Sequence, residues 1–266
     1  MVLFGFRHSV REKHRKKMGR EQEARSLLSA AKFPKLPLRV RMERRSGAHF
    51  ISIGMRMLIS FEGLDASGKS TQIKLLRDGL EQRGRTVLVL REPGGTSIGE
   101  TIRHVLLDKK NLAMSAAAEL FLFSASRSQL VDEVIQPALG RGAVVILDRY
   151  YDSTTAYQGY GRGIDLNTIN RINRLATGGL APQLTFFVDI PIDEVEQRLR
   201  RANVGRDRME SSGTDFYTRV RNGYRVLAQT ESRFRLMDGT QSVETIQLNI
   251  WREVEQALAA QSKGAV

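Results

Sequence analysis

The chain is predicted to be an α/β protein with a five-stranded parallel sheet and helices on both faces. Three observations carry this. Five short apolar, β-rich runs alternate with seven runs of helical period. The strand runs are close to continuously apolar, as expected for strands covered on both faces. The first of them leads straight into a glycine-containing turn and a helix.

The strands are predicted at Met57–Phe61, Thr86–Leu90, Ala143–Leu147, Leu184–Ile190 and Arg233–Met237. The helical runs are Lys69–Arg83, Ser97–Leu107, Ser115–Leu139, Asn167–Ala176, Ile192–Ala202, Thr214–Gln229 and Ser242–Ala259. Strands separated by helices join through right-handed crossovers into a parallel sheet.

Composition narrows the class. The chain has 266 residues, 41% apolar and 27% charged, values of an ordinary globular protein. No run approaches the roughly 18 apolar residues needed to span a bilayer. The absence of Cys excludes a disulfide scaffold, a thiolate zinc site and a cysteine nucleophile. It also suits a reducing, cytoplasmic address.

The net charge of +13 suggests nucleic acid until it is divided along the chain. Residues 1–56 hold 15 Lys and Arg against 4 Asp and Glu, whereas residues 57–266 hold 27 against 25. The basicity therefore belongs to an N-terminal extension and not to the body. One short helix is expected over Glu21–Lys32, stopped by Pro34 and Pro37. Met55 and Met57 stand immediately before the first strand, so residues 1–56 are expected to be a disordered tail or sequence upstream of the native start. The catalytic domain is expected over 57–266.

Gly63-Leu64-Asp65-Ala66-Ser67-Gly68-Lys69-Ser70 fits G-x-x-x-x-G-K-[ST], followed by Thr71. Gly63 and Gly68 permit torsions that turn successive N–H groups around a phosphate. The helix starting near Lys69 points its positive end at the same place. Lys69 can reach the β/γ-phosphates of ATP, and Ser70 offers a hydroxyl to Mg²⁺. The substrate is chosen elsewhere. Arg91-Glu92-Pro93-Gly94-Gly95-Thr96 follows the second strand, where polar residues face a ligand crevice. Asp148-Arg149-Tyr150 follows the third. Asp148 is either a second carboxylate near Mg²⁺ or a cap for the next segment, and Arg149 can fork onto a phosphate.

FEGLDASGKST, REPGGT, DRYYDSTTAYQG, GRG and DGT occur in the order and spacing of bacterial thymidylate kinases, which the chain resembles from Met57 onward. The resemblance implies a P-loop NTPase three-layer sandwich with a mobile lid at about 200–212, a homodimer, and phosphorylation of dTMP to dTDP by ATP and Mg²⁺. It implies that Phe123 stacks on thymine, that Arg127 bonds a base carbonyl and that Arg149 holds the acceptor phosphate. Glu92, Pro93, Ser153, Thr154 and Gln158 would line the dTMP pocket. Tyr157 would crowd the sugar C2′, and Asp65 would lie near the 3′-OH. Ala66 and Ser67 stand where some eukaryotic relatives place a catalytic arginine. The missing positive charge is therefore expected from the lid, which carries Arg200, Arg201, Arg206 and Arg208, with Arg201 and Arg206 chosen as catalytic. Two other readings remain at this point. One is a kinase of another small nucleoside or nucleotide. The other is a nucleic-acid-binding ATPase, which the near-neutral body disfavours.

Overall fold

The computed structural model describes residues 56–202, 208–209 and 213–263. The basic extension, the helix expected over 21–32 and Arg206 lie outside them. The strands are β1 (Met57–Glu62), β2 (Val87–Arg91), β3 (Val144–Asp148), β4 (Leu184–Asp189) and β5 (Phe234–Asp238). All pair in parallel in the order β2-β3-β1-β4-β5. The chain thus crosses to one side of β1 and then to the other. That reversal opens a crevice at the carboxyl ends of β1, β3 and β4.

Side-chain alternation divides the core. Met57, Ile59 and Phe61 of β1 face one side, with Ile146 and Phe186, against Leu76 and Leu80 of helix α1 (Lys69–Glu81). Ile250, Trp251 and Val254 of the C-terminal helix (Val243–Lys263) complete that layer. On the other side Leu58, Val145 and Leu147 meet Leu130 and Ile135, and Phe187 meets Tyr157, Val220 and Tyr224. Truncating a wholly buried ring such as Phe186 would cost about 3–5 kcal/mol. The three inner strands are buried almost throughout, but β2 is only half-buried and β5 little more. Covering on both faces therefore holds for the inner strands and not for the sheet margins.

Helix α2 (Ser97–Leu107) starts at Thr96, whose hydroxyl accepts from the Gly99 N–H over 2.9 Å. Helix α3 (Ala116–Leu130) starts at Ser115, which accepts from Ala118 over 3.2 Å. The single long helix expected over Ser115–Leu139 is three pieces: α3, a π-helical stretch Val131–Ile135, and α4 (Gln136–Gly140). Pro137 lies in the first turn of α4, where its missing N–H costs nothing. Three further helical pieces were not expected: a 3₁₀ turn at Lys109–Asn111, α5 (Tyr151–Thr154) and the π-helical Thr155–Gly161 that continues it. Helices α6 (Leu166–Thr177), α7 (Ile192–Ala202), α8 (Thr214–Thr230) and α9, the C-terminal helix, complete the set.

Candidate active site

The turn between β1 and α1 is shaped by three residues at positive φ: Gly63 at 136°, Ala66 at 58° and Gly68 at 102°. Gly63 also packs where a Cβ would come within 2.5 Å of the Val188 carbonyl oxygen, so only glycine fits beside β4. Lys69 is buried and reaches back over the loop. Its Nζ donates to the carbonyls of Gly63 (3.1 Å) and Leu64 (2.8 Å), and to Ser67 Oγ at 3.5 Å. Burial, and then the nearby Arg149 cation, lower its pKa to about 8, against the opposing pull of Asp148, Asp65 and Glu62. Gly68 begins α1, Ser67 is buried, and Ser70 and Thr71 are exposed at the mouth.

Ser70 Oγ donates to Asp148 Oδ2 over 3.2 Å. The acid at the end of β3 thus faces the P-loop and does not cap α5, whose N-terminus has no side-chain cap. Next to it, Arg149 has φ 71°. Its Nη2 donates to Asp65 Oδ1 over 2.7 Å, and its guanidinium sits 5.2 Å from the centre of the Tyr157 ring. Burial opposes ionisation of Asp65, but the Arg149 and Lys69 charges outweigh it and hold the carboxyl below its usual range. The Tyr157 hydroxyl is buried with no hydrogen-bond partner among the described residues.

Arg127 on α3 is wholly buried. It donates to Glu92 Oε2 (2.7 Å), Thr154 Oγ1 (2.9 Å) and the Tyr150 carbonyl (3.2 Å). Burial raises the Glu92 pKa despite that partner, and Glu92 Oε1 has no hydrogen-bond partner among the described residues. Pro93, next in the chain, is buried. Phe123, one turn before Arg127, is half-buried against the cluster that includes Tyr157 and Leu64. Gln158 is turned onto Glu119, donating to Oε1 over 2.8 Å.

Sequence reasoning missed several groups. Glu62, the last residue of β1, accepts from the Tyr150 N–H, Ser153 Oγ and Tyr224 Oη at 2.7, 2.7 and 2.8 Å. Helix α8 brings Tyr224 there and is tied to β4 by ion pairs from Arg221 and Arg225 to Asp189. Arg198 of α7 donates to the carbonyls of Ala66 (3.3 Å), Ser67 (3.5 Å) and Gly239 (3.0 Å), joining the P-loop to the turn after β5. Arg201 instead is exposed, its guanidinium on Gln197 of the same helix at 3.4 Å. Arg200 likewise pairs along α7 with Glu196. Arg208 is buried and paired with Glu119 at 2.7 Å. Only the acid Glu62 had a sequence signal: a carboxylate ending an otherwise apolar strand next to the P-loop.

The site therefore gathers a glycine-shaped loop around Lys69, a second cation, Arg149, paired with Asp65 of that loop, and Phe123 packed against the cluster that holds Tyr157. The family model for thymidylate kinase matches residues 61–250. The chain belongs to the thymidylate kinase family. A thymidylate kinase of Chlorobium luteolum is 47% identical over 215 residues, covering 77% of this chain and all of that relative. One from Kosmotoga olearia is 46% identical over 198 residues, covering 74% and 94%. The crystal structure of a thymidylate kinase from Ehrlichia chaffeensis superposes with a TM-score of 0.59 at 33% identity, covering 74% of this chain and 98% of that one. The protein is thus a phosphotransferase, and its five-stranded parallel sheet is the thymidylate kinase arrangement of a P-loop NTPase.

Proposed function

We propose that residues 57–266 transfer the γ-phosphoryl group of ATP to dTMP, giving dTDP for dTTP synthesis, and that residues 1–56 are a basic extension outside the catalytic domain. The observation that carries this reading is the pairing of Arg149 with Asp65 across from Lys69, which sets two cations for two phosphorylated reactants about one carboxylate.

In this reading Gly63–Thr71 cradles the donor phosphates with backbone N–H groups and the α1 N-terminus. Lys69 exchanges the Gly63 and Leu64 carbonyls for phosphate oxygens. Arg149 holds the acceptor phosphate, already a nucleophile, so no strong general base is required. Both reactants are anions, and preorganised cations stabilise the charge of the in-line transition state. Ser70 Oγ and Asp148 Oδ2, two hard oxygens 3.2 Å apart, suit Mg²⁺, which takes few protein ligands and completes its shell with water and phosphate. When bound there, it would screen the phosphate charges. The remaining positive charge is assigned to a lid at about 200–212 through Arg201 and Arg206. Its closure would exclude water.

Phe123 stacks on the base and Arg127 bonds a base carbonyl, oriented by Glu92 and Thr154. Pro93, Ser153 and Gln158 support the pocket wall. Tyr157 meets the sugar at C2′, and Asp65 lies near the 3′-OH. A homodimer is proposed from the family resemblance, with α3, where Phe121 is 61% exposed, as its candidate face. No helix among the described residues is long and apolar enough to cross a membrane; a cytoplasmic location is part of the proposal. The near-neutral charge of the body disfavours nucleic acid as a partner, except through the extension. A coupled ADP-release assay with dTMP, dUMP, UMP, CMP and DNA as alternative additions tests the reading. Turnover should be highest with dTMP, and turnover driven by DNA alone would overturn it.

A further inference from the structure

We propose that Glu62 is the positioning residue for Arg149, fixing both the backbone and the hydroxyls that aim that guanidinium. Arg149 occupies the left-handed region at φ 71°, a conformation a long side chain keeps only where its surroundings over-determine it. Two successive residues of β1 do so. The Phe61 carbonyl accepts from the Arg149 N–H over 3.0 Å, and Glu62 Oε1 accepts from the next N–H, that of Tyr150, over 2.7 Å. The chain is thereby held on both sides of the Arg149 Cα.

The second carboxylate oxygen acts on the side chain. Glu62 Oε2 accepts from Ser153 Oγ at 2.7 Å and Tyr224 Oη at 2.8 Å. Those same two oxygens receive Arg149 Nη1 at 3.3 and 3.4 Å. Glu62 is wholly buried, where a carboxylate is costly unless fully hydrogen-bonded. Its three donors come from the turn after β3, from α5 and from α8, so one side chain joins three elements around the arginine. Glu62 acts on Arg149 through these groups.

This inference rests on reading Arg149 as the holder of the acceptor phosphate. The test is steady-state kinetics with ATP and dTMP varied separately, with thermal melting, for Glu62→Gln, Tyr224→Phe and Arg149→Ala. Glu62→Gln should raise KM for dTMP about tenfold, the size of a lost charge-assisted hydrogen bond, while KM for ATP moves less than about twofold. Tyr224→Phe, which removes one hydroxyl link and leaves the backbone contact, should raise KM for dTMP about threefold. An unchanged KM for dTMP in Glu62→Gln overturns the proposal, as does an equal rise in both KM values. If Glu62→Gln does not fold, Tyr224→Phe decides, and an unchanged KM for dTMP there overturns it. A large effect of Arg149→Ala beside a neutral Glu62→Gln refutes the positioning role alone. An Arg149→Ala enzyme with normal KM for dTMP refutes the reading of Arg149, and this proposal with it.

Discussion

Arg208 forms an ion pair with Glu119 across 2.7 Å, with both side chains almost wholly out of water. Glu119 also receives Arg162 at 3.1 Å and Gln158, so one carboxylate on α3 holds three side chains from two other segments. Arg208 further donates to the Leu106 carbonyl over 2.6 Å. An arginine placed in the lid by sequence is, in the fold, buried as a fastener on α3.

Arg208→Ala should therefore act on stability. Breaking a buried pair costs about 3–5 kcal/mol, and the remaining Arg162 keeps the loss near the lower figure. Thermal denaturation should show a fall of roughly 10 °C for a domain of this size. A melting temperature within about 2 °C of the parent, the scatter of a neutral surface change, would refute the structural role.

Lys69→Ala should separate activity from stability. Its charge is desolvated and bonded only to the loop's own oxygens, so removal leaves the core intact. Turnover should drop on the order of a hundredfold or more with the melting temperature unchanged. Kinetics and melting on one preparation check both halves.

Tyr157→Phe should keep full dTMP turnover and equal or greater stability, because the hydroxyl it removes has no hydrogen-bond partner among the described residues. If ring bulk excludes the 2′-OH, Tyr157→Leu should raise UMP turnover relative to dTMP. The measurement is the ratio of kcat/KM values for the two acceptors. Arg127→Ala should weaken dTMP binding more than ATP binding, and it should also destabilise by stranding Glu92.

The pH dependence of stability follows from Glu62. Burial foremost, then the neighbouring Asp152 charge, raises its pKa to about 7 against the hydrogen bonds of Ser153 and Tyr224 and the Arg149 charge. The folded state thus binds this proton more tightly than the unfolded chain. Its contribution to stability is full below about 4.5 and is lost as pH rises through about 7. Its size is about 3 kcal/mol. Melting temperatures from pH 5 to 8 should fall less steeply with pH in Glu62→Gln than in the parent. Parallel curves would refute the assignment.

A chain starting at Met57 should keep the fold and full dTMP kinase activity. The strand, the P-loop and every pocket residue lie downstream. A segment of net charge +11 with few large apolar side chains has little to bury. Its effects should be salt-sensitive, such as retention on DNA at low ionic strength. Loss of turnover on truncation would move the boundary upstream.

Much of this was legible because the signals were local. The run Met57–Thr71 is a strand, a phosphate turn and a helix start in adjacent residues, and β1 and α1 fall as expected. Tyr151–Gly161 was illegible as helix because Ser, Thr, Tyr and Gly are weak helix formers, and tertiary contacts such as Asn173 with Thr155 and Arg233 with Asp152 hold it instead. Arg198 and Arg208 were indistinguishable from Arg200 and Arg201 by sequence. Which arginine turns inward depends on where α7 meets the P-loop and where Glu119 of α3 lies. Glu119, Tyr224 and Asp189 carry no motif, and their roles arise only from pairs more than 30 residues apart.

An open sheet leaves two unpaired margins, and here β2 and β5 form them. The inner strands contain no basic residue, whereas Arg91 ends β2 and Arg235 lies within β5. Leu236 beside it is 59% exposed. Such charges discourage another chain from adding itself as a sixth strand. Replacing Arg235 with valine would turn Phe234–Met237 into an uninterrupted apolar stretch at an exposed edge and so create a nucleus for insoluble aggregates. Arg235, which also pairs with Glu253 of α9, thus guards a sheet margin remote from the phosphate loop.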